Sequence, residues 1–65
     1  MYLIRVHDDG DTEIMQVESV PTDNCYLALD TVEEVAFELK DYGHDEDRIN
    51  EALAATSNTD DWVEV

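Results

Sequence analysis

The stretch Asp30–Gly43 limits what this chain can fold into more than any other. Val32, Val35, Ala36 and Leu39 fall at i, i+3, i+4 and i+7, one apolar stripe at the helical period. Asp30 or Thr31 can cap the start, and Glu33 or Glu34 three residues on closes a capping box. Gly43 supplies the left-handed residue that stops the helix. The opposite side carries Glu34, Glu38 and Asp41, with Glu33 on its flank. Such a helix lays one side on a core and leaves the other as a row of carboxylates almost without counter-charge.

That imbalance runs through the whole chain. Eighteen Asp and Glu face only Arg5, Lys40 and Arg48, a net charge of −15 over 65 residues. A soluble small domain usually carries a net charge of magnitude about 2–8. Self-repulsion at the higher level works against a compact state. Highly charged chains with few apolar residues stay disordered, but here 43% of residues are hydrophobic and they are periodic. The length makes one domain, 1–65, which buries about 60% of its unfolded surface. That leaves no room for a deep cleft and its scaffold. No apolar run reaches the length of a membrane span. Met1–Val6 alternates, unlike the apolar core of a signal peptide. The lone Cys25 excludes an intramolecular disulfide and points to a reducing compartment.

Along the chain, Tyr2–His7 alternates as a strand does. Asp8-Asp9-Gly10-Asp11 follows, and Asp-Gly is a hairpin signal. A two-residue Asp9-Gly10 loop pairs Val6 with Glu13, Ile4 with Met15 and Tyr2 with Val17. Tyr2, Ile4, Val6, Met15 and Val17 then share one face, with Leu3 and Ile14 on the other. Ser19–Asn24, with Pro21, reads as a loop. Cys25–Leu29 fits two readings: an early start to the helix, or a short extended segment with the helix starting later. The later start is preferred. A second helix follows Gly43, capped by His44 or Asp45, with Glu46 and Asp47 at the positive end of its dipole. Ile49, Ala52, Leu53 and Thr56 form its inner stripe; Glu46, Asp47, Asn50 and Glu51 lie outside. Asp61–Val65 reads as a last short strand. The expected class is α+β: a three-stranded antiparallel sheet with two helices on one face, in the order β-β-α-α-β.

Chemistry finds little purchase. Cys25 has only His7 or His44 as a candidate base, and nothing orients either. Carboxylates on helix exteriors and turns are not the apolar-pocket acids of general-acid catalysis. Asp8-Asp9-Gly10-Asp11-Thr12-Glu13 lacks the ligand spacing of a calcium loop. Zinc needs more Cys and His than the chain has, and no nucleotide fingerprint is present. The expectation is a protein that is not an enzyme, with no cofactor and no metal.

The remaining signal is the acidic surface: Asp8, Asp9 and Asp11; Glu33, Glu34, Glu38 and Asp41; Asp45, Glu46, Asp47 and Glu51. Carboxylates at i and i+4 are spaced by about 6 Å along a helix axis. B-DNA advances about 3.4 Å per phosphate on each strand. Two helices with such rows can follow alternate phosphates, and a Lys/Arg-lined groove gains the same neutralisation from them as from DNA. Leu3, Ile14 or Phe37 can add an apolar anchor. A salt-adapted proteome also produces Asp-rich, Lys-poor chains, so charge alone leaves both readings open.

In length, in element order and in the runs Asp8-Asp9-Gly10-Asp11, Glu33-Glu34 and Asp45-Glu46-Asp47, the chain resembles the small acidic phage-encoded anti-CRISPR proteins that pose as duplex DNA. The resemblance is one of pattern over the whole chain, since these inhibitors share no diagnostic motif. It implies a monomer or small homo-oligomer in the cytoplasm of a bacterial host. The implied partner is a Cas subunit of a surveillance complex, bound at the basic patch that reads the protospacer-adjacent motif. Inhibitors of uracil-DNA glycosylase and of restriction systems are related in mechanism.

Overall fold

The computed structural model describes residues 1–19 and 26–65. The loop expected at Ser19–Asn24 lies mostly outside them, as does Cys25. Among the described residues, four antiparallel strands and two helices follow the order β1 (Tyr2–Val6), β2 (Thr12–Gln16), β3 (Leu27–Leu29), α1 (Val32–Asp41), α2 (Glu46–Thr56) and β4 (Val63–Glu64). The sheet order is β3-β1-β2-β4. The α+β class with an antiparallel sheet therefore holds, but the sheet has four strands. Leu27–Leu29 is the addition, an edge strand paired with β1.

The β1–β2 register differs from the expected one by a residue. Ile4 stands opposite Ile14, Leu3 opposite Met15 and Val6 opposite Thr12. The cause is the turn. Gly10 N donates to His7 O at 2.9 Å and His7 N to Asp11 O at 2.8 Å, which makes a three-residue loop of Asp8, Asp9 and Gly10. A two-residue type I′ loop needs positive φ at both central residues. Among the described residues only glycines take positive φ, and Gly10 sits at 94°. The three-residue loop confines the left-handed backbone to the residue that adopts it without strain. The slip moves Ile14 to the core face and Met15 off it.

Both helices lie on the face that carries Ile4 and Ile14. These two form one cluster with Val35, Leu39, Ile49, Ala52 and Leu53, flanked by Tyr2, Leu29, Ala36, Val63 and Val65. α1 packs against β1, and α2 against β2 and β4. Each large aliphatic residue fully buried there contributes about 1.5–3 kcal/mol. The inner stripe of α2 is as expected. In α1, Val35 and Leu39 are buried but Val32, the first helical residue, is 44% exposed.

The cap rather than burial secures that first turn. Thr31 Oγ1 accepts from Glu34 N at 3.2 Å, and Glu34 Oε2 accepts from Asp30 N at 3.1 Å, a capping box displaced by one residue at its return bond. At the other end Gly43 N donates to Lys40 O and His44 N to Leu39 O. With Gly43 at φ 91°, this is a Schellman stop. Asp45 caps α2 without a side-chain hydrogen bond.

Candidate partner-binding surface

The expected site residues fall into groups set by these elements. Asp8, Asp9 and Asp11 sit at the tip of the β1–β2 hairpin, where Asp11 N donates to Asp9 Oδ1 at 3.1 Å. With His7, Glu13 and Glu64 they line a shallow depression. Glu13 and Glu64 stand directly opposite each other on β2 and β4. Glu13 is neutralised from its other side: Arg5 Nε donates to Glu13 Oε1 at 2.9 Å, and His7 Nε2 is hydrogen-bonded to the same oxygen. The His7 bond and then the Arg5 bond hold the Glu13 carboxyl below its ordinary range, against an upward push from burial. Among the described residues no group of three or more His, Cys, Asp or Glu is arranged to hold a metal ion.

Glu33, Glu34, Glu38 and Asp41 belong to α1 and keep clear of its buried residues Val35 and Leu39. Glu33, Glu34 and Asp41 are exposed and Glu38 is half-buried. The capping bond fixes one oxygen of Glu34. Phe37 stands among these acids, 69% exposed, and borders a groove with Leu29, Glu33, Glu34 and Glu38. Asp45, Glu46, Asp47 and Glu51 are all exposed, on the corner after Gly43 and the outer side of α2. Arg48 Nη1 lies 3.9 Å from Glu51 Oε2.

The fold thus sets the two acid-bearing helices in one layer over the Ile4–Ile14 face and leaves the hairpin trio at one end of the β1–β2 ladder. Among the described residues, Glu13 and Glu51 are the carboxylates in ion-pair range of a basic side chain. The fixed negative charge is therefore almost wholly uncompensated.

The other sheet face differs in character. The Arg5 guanidinium carbon lies 4.1 Å from the centre of the Trp62 ring. Tyr26 meets Trp62 edge-on at 5.2 Å between ring centres. Leu3, on this face, is fully buried. Sequence reasoning missed this cluster because its members come from distant parts of the chain. The expected register set Val6 opposite Glu13 and so put Arg5 and Glu13 on opposite faces; the observed one sets Arg5 opposite Glu13, and only then does their ion pair follow.

No protein family, curated protein or solved structure matches this chain.

Proposed function

We propose that this protein is a non-catalytic inhibitor whose helix layer imitates a nucleic-acid backbone and occupies the basic DNA-binding groove of another protein. The observation that carries the reading is that α1 and α2, both packed on the core, carry surface carboxylates with little counter-charge. A fixed polyanion loses less freedom on binding than a flexible acidic tail. Glu34 and Glu38 are one helical turn apart, about 6 Å along the axis. In keeping with the resemblance to DNA-mimicking anti-CRISPR proteins, the partner proposed is a Cas subunit of a surveillance complex at its motif-reading patch, inside a bacterial host. No helix among the described residues is long and apolar enough to cross a membrane.

The test is displacement of target duplex from purified surveillance complexes at low salt, by the wild type and by a variant carrying Glu33→Lys, Glu38→Lys and Asp47→Lys. Glu34 is left in place because it caps α1. The reading expects displacement by the wild type and its loss in the folded variant; undiminished displacement by the variant would overturn it.

One observation favours a second reading. Glu18 and Asp60 line a depression at the end of β2 opposite the hairpin, away from the acidic rows of the helices. An acidic domain from a salt-adapted organism would carry charge there too. That reading expects unfolding below molar salt, visible by circular dichroism; the inhibitor reading expects a folded domain in dilute buffer.

A further inference from the structure

We propose that Phe37 and the groove beside it anchor the partner, and that the occupant is a protein segment in which an aliphatic side chain is flanked by Lys or Arg. The proposal rests on the binding reading above and adds a specific contact that charge alone does not supply. Leu3 and Ile14, the other candidate anchors, are both 0% exposed and so cannot touch a partner; Phe37 is 69% exposed. It lies two residues from Val35, about 200° round the helix from the buried stripe, so it cannot turn into the core without unseating α1.

The surroundings of Phe37 select the occupant. Leu29 from β3 forms an apolar wall of the groove, and Glu33, Glu34 and Glu38 form its rim. An aliphatic side chain packed between Phe37 and Leu29 places its neighbours over three carboxylates that lack basic partners among the described residues. Lys or Arg at those neighbours gains charge-assisted hydrogen bonds. Lys40 is the only cation of α1. A second copy of this chain is a poor occupant: it would bring its own three glutamates to the same rim and another −15 of net charge. A central apolar anchor inside a charged rim is the usual layout of an energetic hot spot.

The experiment titrates the protein at low salt with two peptides of equal charge, Lys-Lys-Leu-Leu-Lys-Lys and Lys-Lys-Gly-Gly-Lys-Lys, and follows the Phe37 ring and Leu29 methyl resonances. The leucine peptide is expected to bind about tenfold more tightly. Phe37→Ala keeps the net charge and favours the helix; it should abolish that preference and leave the glycine peptide unaffected. Equal binding of the two peptides, or a preference that survives Phe37→Ala, overturns the anchor and leaves the polyanion reading standing. Failure of both peptides to bind overturns both. Self-association through Phe37 at low salt would overturn the choice of occupant.

Discussion

The Arg5 guanidinium lies over the Trp62 ring, 4.1 Å from its centre, while its Nε donates to Glu13 at 2.9 Å. One of the three basic residues is thus committed to the sheet face away from the helices, where it joins β1, β2 and the segment leading into β4. His7 and Arg5 lower the Glu13 pKa from its ordinary 4.5. A carboxyl depressed in the folded state adds stability that is present above the ordinary value and lost as pH falls through the folded one. Melting temperatures of wild type and Glu13→Gln should therefore differ most above pH 4.5 and converge on acidification. Arg5→Gln should shrink the same difference.

The register gives a sharper test. Ile14 is fully buried and Met15 faces the other side, half-exposed. Ile14→Ala should cost about 2–5 kcal/mol, against a total of about 3–10 kcal/mol expected for a domain of this size. Met15→Ala should cost no more than about half as much, since its side chain already meets water. Denaturant titration measures both; a reversed order would favour the register with Met15 in the core.

Thr12 is buried, and its Oγ1 has no hydrogen-bond partner among the described residues. An unsatisfied buried hydroxyl costs about 1–3 kcal/mol. Thr12→Val keeps the shape and the preference for strand. It should raise stability by about 1 kcal/mol in the same titration.

Glu13 and Glu64 face each other across β2 and β4, and like charges directly opposite are unfavourable. Glu64→Lys should stabilise the fold by about 0.2–1 kcal/mol, with a gain that shrinks as salt is added. Thermal melts at two salt concentrations check both.

Local signals were legible in the sequence and long-range ones were not. The Thr31–Glu34 cap, the Gly43 stop and the inner stripe of α2 depend on residues within a turn or two, and they stand as read. Asp9-Gly10 marked the hairpin, but a positive φ at Gly10 fits two loop lengths that differ by one residue. That single residue moved Ile14 from the outer face to the core. The segment before α1 carried apolar residues compatible with either period, and Leu27–Leu29 resolved to a strand because β1 offered a free edge. The acidic residues read as outward-facing on α1 and α2 are exposed, apart from Glu38, which is half-buried. Phe37 stood out in the sequence as one of three possible anchors; burial separated it from Leu3 and Ile14.

In the proposed function the helix-borne carboxylates act together as an imitation of a nucleic-acid backbone. The most direct measurement is displacement of duplex DNA from a surveillance complex across a salt series, with wild type and the Glu33→Lys, Glu38→Lys, Asp47→Lys variant compared after circular dichroism shows both folded. The expected result is displacement by the wild type that weakens steeply with salt, as charge-driven association does, and none by the variant. Displacement that is indifferent to salt and to the three reversals would contradict it.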